Sequence, residues 1–370
     1  MGLGLIPRAI TDIETTTEVV VKAFLYHVHG LGPFDFSSLR PDDLLPVQAI
    51  AAERDMEVLP TIFLGRNALS TLTEVHKAYD ELREAGEVPN IAGFAVEGPL
   101  LGPLGGIPRE GKWIPTVQEW ESLVDLGRLG LRYIVMAPDA MALDEEIRDG
   151  FTFGDLLTRF YDNGVKVALG HFHHGDPERS ARLTREVIKF LHERYESSPY
   201  LVLTDHLFND MPRNFTHTWR TDEELVHRQT QLDAFLAHDW ETSDLGELLG
   251  PVPAELLAAT REGLLTPCLN FDGKHVDLEV CRLAVGYLGS DRLIALTDHI
   301  EVDQMANEKL TKAPNGLWMR NDGVVAAGST GYERQLENMA TIGITGDAAT
   351  KLFDTVPRAA IQFPIRRRGA

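Results

Sequence analysis

Two stretches of sequence decide the fold of this chain: 164–176 (GVKVALGHFHHGD) and 199–211 (PYLVLTDHLFNDM). Each is a short apolar run, and its β-branched residues favour a strand over a free-standing helix. The segment between them, 177–195, has helical spacing. Its apolar residues on one helix face are Leu183, Val187, Ile188 and Leu191. The three segments together predict a strand, helix, strand unit.

Both apolar runs end at a histidine, the first at His171 and the second at His206. A crossover helix that joins two parallel strands brings both strand C-termini to the same edge of the sheet. The two histidines are therefore predicted to lie side by side, as a candidate metal site. The alternative is a pair of buried structural histidines at strand ends.

The alternation of strand-like and helix-like segments continues along the chain. Strands are predicted at about 22–28, 57–63, 91–97, 131–137, 164–170, 199–206, 264–271 and 292–298. Amphipathic stretches lie between them, and in one the residues that share a helix face are Leu72, Val75, Tyr79 and Leu82. Eight βα units predict a TIM (β/α)8 barrel, whose active site would lie at the C-terminal edge. An open doubly wound sheet is the alternative, but GxGxxG is absent after an early strand.

Metal-ligating residue types collect at the predicted strand ends. The residues at or just past these ends are His27, His29, Thr61, Glu97, Pro138, Asp139, His171, His206, Asp272, His275 and Asp298. This set is rich in the nitrogen and oxygen ligands that zinc and iron accept. It indicates a metal site at the C-terminal edge of the barrel.

The sequence predicts one barrel domain over 22–370, preceded by an N-terminal extension over 1–21. The connection after the sixth strand is longer than an ordinary crossover, so 212–263 is interpreted as a helical insert that could act as a lid. After Asp298 we predict a hairpin within 316–329 (GLWMRNDGVVAAGS). Two helices are then predicted at about 331–343 and 346–355.

Composition narrows the class of protein and its partners. The chain has 370 residues, 44% of them hydrophobic, which is enough for a sizeable core. Its 35 basic and 56 acidic residues give a formal charge of -21, which argues against nucleic acid and anionic membranes as main partners. Two cysteines cannot form a disulfide framework. Without a signal peptide or an apolar run long enough to span a membrane, we predict a cytoplasmic location.

An ordered series of motifs resembles the N-acetylglucosamine-6-phosphate deacetylases of the amidohydrolase superfamily, over nearly the whole chain. The motifs are HVHGLGPFDF at 27–36, GFAVEGPLLGP at 93–103, MAPD at 136–139, LGH at 169–171, DHLFNDM at 205–211, DGKHV at 272–276, LTD at 296–298, AGS at 327–329 and VPRAAI at 356–361. Each string alone is weak evidence. Their order, spacing and position at predicted strand ends make the resemblance specific.

The resemblance implies a role for several residues. It makes Glu97, His171 and His206 the ligands of a catalytic divalent metal: zinc first, with iron or manganese as alternatives. His27 and His29 match the HxH that holds a second ion in two-metal members of the superfamily, although HxH in a one-metal site could instead pack behind the ligands. Asp298 corresponds to the catalytic acid/base and His275 to the residue that hydrogen-bonds the substrate carbonyl. Asp298 could instead cap a following helix.

The residues that would bind the sugar and phosphate depart from the family's pattern. Its HxEGP is AVEGP here, with Ala95 in place of a histidine, and Trp113 replaces the histidine of KGxHNP. NAM becomes NDM, which keeps Asn209 but introduces Asp210, whose charge would repel a phosphate. Arg213 or Arg220 could replace the family's arginine. The family's small β-sandwich domain is mostly missing, because only about 21 residues precede the first strand.

We therefore expect a metal-dependent amidohydrolase that acts on a C–N bond, most simply an N-acyl amide. Its small-molecule substrate would differ from N-acetylglucosamine 6-phosphate. Two alternatives are the sugar-phosphate deacetylase itself and a non-catalytic barrel that binds a metabolite or a partner. The resemblance also suggests a homodimer.

Overall fold

The computed structural model describes residues 23–104, 106–215 and 222–369. The predicted extension over 1–21 lies outside these ranges. Eight parallel strands pair in the order in which they occur in the chain. They are β1 (Ala23–Val28), β2 (Met56–Phe63), β3 (Phe94–Glu97), β4 (Leu131–Met136), β5 (Lys166–Leu169), β6 (Leu203–His206), β7 (Thr266–Asn270) and β8 (Ile294–Leu296). All eight predicted strands are confirmed, most of them shorter than their sequence signal.

Backbone hydrogen bonds join the end of β8 to β1 and close the barrel. The Asp298 N–H donates to the His27 carbonyl at 2.9 Å, and the His29 N–H donates to the His299 carbonyl at 2.9 Å. Closure brings residues about 270 positions apart in sequence to the same edge. The predicted TIM barrel is therefore confirmed, and the open doubly wound sheet is excluded.

Helices surround the strands. Within the described residues they are α1 (Leu44–Glu53), α2 (Leu69–Glu84), α3 (Val117–Asp125), α4 (Phe153–Asp162), α5 (Pro177–Arg194), α6 (Asp222–Leu236), α7 (Leu245–Leu249), α8 (Pro251–Arg261), α9 (Leu278–Leu288), α10 (Tyr332–Thr341), α11 (Asp347–Thr350) and α12 (Val356–Gln362). A π-helical turn, Lys351–Thr355, joins the last two. The predicted apolar faces of α2 and α5 pack against the barrel, which confirms both helices.

The hydrophobic core has two layers. Alternate strand residues such as Phe24, Leu59 and Leu203 fill the barrel interior, where the rings of Tyr26 and Tyr133 stack with centroids 5.2 Å apart. The other strand faces pack outward against the helices. Because apolar side chains fill the barrel interior, a polar functional site is expected at the edge formed by the C-terminal ends of the strands.

The insert 212–263 contains α6, α7 and α8. The last of these packs as a barrel helix beside α5, where Arg185 pairs with Glu255 and, at 2.5 Å, with Glu262. The helical part of that prediction is confirmed, and its role as a lid stays a prediction. The strand Trp318–Met319 pairs antiparallel with Val325–Ala327, which confirms the predicted hairpin.

The two cysteines, Cys268 and Cys281, are buried and free. No helix in the described ranges is both long enough and apolar enough to span a membrane.

Candidate metal centre

Side chains with metal-ligating atoms meet at the carboxyl edge of the barrel. They lie in or just after β1, β3, β5, β6 and β8, and each is at most 4% exposed. These residues are His27, His29, Glu97, His171, Asp205, His206 and Asp298. Their donor atoms fall into two groups, and each group is compact enough to surround one metal ion.

The first group consists of Glu97, His171, Asp205 and His206. The His171 Nε2 atom contacts Glu97 Oε1 directly and lies 3.2 Å from Asp205 Oδ2. The His206 Nε2 atom lies 3.0 Å from the same Asp205 oxygen. The rings of His171 and His206 have centroids 4.9 Å apart, so the predicted side-by-side placement is confirmed.

The second group consists of His27, His29 and Asp298. The two Nε2 atoms of the histidines are 3.3 Å apart. The His29 Nε2 atom also lies 3.2 Å from Asp298 Oδ1. No helix follows Asp298 directly, since the next one in the described chain begins at Tyr332, so the helix-cap alternative for Asp298 is excluded.

The Glu97 carboxylate lies between the two groups. Its Oε1 faces His171 and His206, whereas its Oε2 lies 3.5 Å from the Nε2 atoms of both His27 and His29. Each oxygen of the Glu97 carboxylate thus lies beside a different group. Glu97 is therefore placed to contribute an oxygen to either group.

Hydrogen bonds at the outer ring nitrogens orient two of the histidines. The His29 Nδ1 atom lies 3.2 Å from the Thr61 carbonyl, to which it can only donate. The His171 Nδ1 atom lies 2.5 Å from Asp210 Oδ2, and the other Asp210 oxygen is 3.2 Å from His174 Nε2. In a neutral imidazole ring, an Nδ1–H donor leaves Nε2 without a proton, which is the form that binds metals.

The backbone is strained at three of these residues. His171, Asp210 and Asp298 have φ values of 52°, 41° and 46°. Residues other than glycine seldom adopt the left-handed region, and such strain costs about 1–3 kcal/mol for each residue. Strain of this kind is kept where the direction of a side chain matters, and here all three side chains contact the two groups.

Three carboxylates are buried among the histidines: Glu97, Asp205 and Asp298. Their negative charges require compensating positive charge nearby. Burial by itself would raise the pKa of each carboxyl, but neighbouring histidines hold all three pKa values below their ordinary range. Burial would also lower the pKa of His206, but the Asp205 carboxylate raises it to about 9. Protons or a cation must supply the compensating charge, because isolated buried carboxylates are very costly.

His275 lies beside Asp298. Its Nδ1 atom is 2.7 Å from Asp272 Oδ2, and its Nε2 atom lies 3.9 Å from Asp298 Oδ2. Burial lowers the pKa of His275, but the Asp272 carboxylate outweighs this effect and raises it. The ring can therefore carry a proton at Nε2, next to the second group.

A cavity of ≈ 190 Å³ opens onto both groups. The sequence-predicted residues in its lining are Glu97, His171, His206, Asn209, Asp210, Arg213, His275 and Asp298. Gly106 and Ile107, together with the strand that contains Val325, complete the wall. Arg213 is the arginine in this lining, and its Nε atom is buried without a hydrogen-bond partner.

One predicted substrate-binding residue, Trp113, is not brought to the cavity. The Trp113 Nε1 atom donates to the Leu64 carbonyl at 2.7 Å, and Arg66 lies over its ring at 4.8 Å. Trp113 is therefore packed in a loop, away from the cavity lining. Arg220 lies outside the described residues.

Sequence reasoning missed Asp205 as a member of the site. Neighbouring residues of a regular strand point to opposite faces, so Asp205 and His206 should not face the same group. The pairing of β6 with β7 is irregular between Leu203 and His206, where the Cys268 N–H donates to Thr204 Oγ1 at 3.0 Å. Such irregularities re-aim side chains. The signal was a charged residue inside the apolar run PYLVLTDH.

The donor set fits a divalent cation. Glu97 Oε2 and both oxygens of Asp205 are buried, and apart from the surrounding histidine rings they have no hydrogen-bond partner. Ligand atoms about 2.0–2.1 Å from one zinc ion lie about 3.0–3.4 Å from one another, depending on the geometry. The distances of 3.0 and 3.2 Å from Asp205 Oδ2 to His206 and His171 match this spacing, whereas Glu97 Oε1 lies closer to His171 and, at 3.8 Å, farther from His206.

The fold and the two donor groups define a (β/α)8 barrel with a candidate metal centre at its carboxyl edge. No family model matches the sequence, and a search of curated proteins found no match. Solved structures of N-acetylglucosamine-6-phosphate deacetylases share the fold.

The enzyme from Pasteurella multocida has a TM-score of 0.66 and 16% identity over 92% of this chain and 76% of that chain. The enzyme from Mycobacterium smegmatis has a TM-score of 0.63 and 19% identity, covering 94% of this chain and 80% of that one. The protein from Thermotoga maritima has a TM-score of 0.63 and 13% identity, covering 92% and 78%. The predicted resemblance is thus confirmed at the level of the fold.

Proposed function

We propose that this protein is a metal-dependent amidohydrolase that cleaves a C–N bond, most simply the amide of an N-acyl group. The observation that carries the proposal is the position of Glu97 between two buried histidine groups. Asp298, a carboxylate placed to move protons, lies at the edge of the second group. The fold shared with solved deacetylases supports the same reaction class.

The residues divide the chemistry between them. Glu97, His171 and His206 would hold one divalent ion, with His27 and His29 available for a second. Such an ion lowers the pKa of a water molecule toward about 7 and polarises a carbonyl. Zinc is the first candidate for this nitrogen and oxygen ligand set, with iron or manganese as alternatives.

Asp298 and His275 act on the substrate. The Asp298 Oδ2 atom, which does not face His29, takes a proton from the attacking water and passes it to the leaving nitrogen as the C–N bond breaks. The protonated Nε2 of His275 donates to the substrate carbonyl oxygen and stabilises its developing charge. Asp272 keeps the His275 ring oriented through Nδ1.

We propose a substrate other than N-acetylglucosamine 6-phosphate. Asp210 lies in the cavity lining and adds negative charge where a phosphate would be unfavourable. Trp113, which replaces a sugar-site histidine of the resembled family, packs outside the cavity lining. One observation favours the sugar phosphate as a second candidate: the buried Nε atom of Arg213 lacks a partner and could bind an anion.

Metal analysis and a substrate panel test the proposal. Protein purified without chelator should contain zinc, iron or manganese, and should release free amine from at least one N-acylated amine, amino acid or amino sugar. Asp298→Asn and His206→Ala serve as inactive controls. Metal-free protein with no activity after zinc is added would instead support a non-catalytic binding barrel.

The phosphorylated sugar separates the two enzyme candidates. Hydrolysis of N-acetylglucosamine 6-phosphate above roughly 10⁴ M⁻¹s⁻¹, within the range usual for enzymes, would refute the divergent substrate. Arg213→Gln should then raise the KM for that substrate.

The proposed homodimer is tested by light scattering after size-exclusion chromatography. The proposed cytoplasmic location is tested by fractionation of cells.

A further inference from the structure

We propose that Asp205 is a fourth protein ligand of the ion held by Glu97, His171 and His206. This inference rests on the proposed function only for the presence of a metal. It adds a carboxylate that the motif resemblance does not assign to the site. It also changes the expected coordination of the ion from three protein ligands to four.

The position of Asp205 carries the inference. Its Oδ2 atom lies 3.0 Å from His206 Nε2 and 3.2 Å from His171 Nε2. These are the ring nitrogens that face Glu97, so Asp205 Oδ2 points to the same space as Glu97 and the two histidines. A residue that only oriented the histidines would contact their outer Nδ1 atoms, as Asp210 does at His171.

The local structure makes room for this carboxylate. Asp205 is 2% exposed, and apart from the ring nitrogens of neighbouring histidines its oxygens have no hydrogen-bond partner. A side chain at Gly170 would place its Cβ 2.4 Å from the Asp205 Cβ, so glycine is needed next to His171. The irregular pairing of β6 turns Asp205 and His206 toward the same group. A buried carboxylate that only histidine rings contact is favourable where protons on those rings or a cation supply positive charge.

The other oxygen of Asp205 offers a competing explanation. Asp205 Oδ1 lies 3.4 Å from His27 Nδ1, which also lies 3.1 Å from the Tyr133 hydroxyl. Asp205 could therefore act only by orienting His27 in the second group. The experiment must distinguish orientation of His27 by Asp205 from direct binding of the ion by Asp205.

Zinc binding is therefore measured in a His27→Ala background. Without His27, Asp205 can no longer act by orienting that ring. Affinity is measured by competition with a chromophoric chelator for His27→Ala and for His27→Ala combined with Asp205→Ala or Asp205→Asn. We expect Asp205→Ala to weaken binding by at least the roughly 10–100-fold that loss of a supporting partner costs. Zinc-edge X-ray absorption should show one fewer nitrogen or oxygen neighbour of the zinc ion. Circular dichroism checks the fold, and the isosteric Asp205→Asn serves if Asp205→Ala does not fold.

Asp139→Asn is the matched control. Asp139 is also buried beyond the end of a strand, but it accepts hydrogen bonds from Ser180 and the His173 N–H and lies outside both donor groups. In the His27→Ala background, Asp139→Asn should bind zinc as tightly as His27→Ala alone does. Equal affinity with and without Asp205 in the His27→Ala background would overturn this inference alone. A wild type that binds no metal would overturn the proposed function as well.

Discussion

Replacing Asp210 should weaken metal binding although Asp210 is not itself in either donor group. Its Oδ2 accepts a hydrogen bond from His171 Nδ1 at 2.5 Å, and the carboxylate is only 10% exposed. A hydrogen bond to a charged group contributes about 1.5–3 kcal/mol. Since about 1.4 kcal/mol corresponds to a factor of ten, Asp210→Ala should weaken zinc binding by about 10–100-fold.

Asp210→Asn should fall between the wild type and Asp210→Ala, because the amide oxygen still accepts from His171 but carries no charge. Zinc affinity is measured by chelator competition at a fixed pH. His174→Ala is the control, since it removes the 3.2 Å contact with the other Asp210 oxygen and leaves His171 intact. Wild-type affinity in Asp210→Ala would refute the idea that this carboxylate holds His171 in its ligating form.

Three further predictions concern activity, ligand-linked stability and pH. Asp298→Asn should lower kcat about 10²–10⁴-fold on the best substrate of the panel while zinc stays bound by the first group; unchanged kcat would remove Asp298 from the proton-transfer role. Zinc at about 100 times its Kd should stabilise the apoprotein by about 2.7 kcal/mol in urea unfolding, and His206→Ala should abolish most of this gain. Burial lowers the pKa of His76 to about 4, so the folded state binds fewer protons than the unfolded state between about pH 4 and 6.5. Stability should therefore fall as the pH drops through this window, by up to about 3 kcal/mol from this residue, and His76→Gln should lose that part of the pH dependence. Identical pH slopes for the two proteins would contradict the assignment.

The site is strongly acidic around its histidines, and this bears on the choice of substrate. Asp210 and Asp272 add to the three carboxylates of the donor groups, while Arg213 supplies a permanent positive charge in the cavity lining. An ion in each donor group would offset much of this negative charge. Neutral or cationic amides should therefore be favoured over dianionic ones when the substrate panel is tested.

The sequence by itself determined the barrel, because the hydrophobic pattern of each short segment specifies its own strand or helix. This pattern recurs along the chain, and the crossover rule makes consecutive strands parallel. Eight short apolar runs separated by amphipathic segments predicted eight strands, and each strand is present. The same reasoning placed His171 and His206 together, since parallel strands end at a common edge. It also identified Glu97 and Asp298, which lie where strands end.

Only the tertiary structure decided how these side chains are aimed. Barrel closure sets His29 beside Asp298, and the irregular pairing of β6 turns Asp205 toward His171 and His206. Period-two alternation assigns neighbouring strand residues to opposite faces, so no local pattern could predict that Asp205 joins its neighbour. The contact of Asp210 with His171 also depends on left-handed backbone at both residues. Such departures from regular geometry depend on the packed surroundings, and they are what separates two buried histidines from a candidate metal centre.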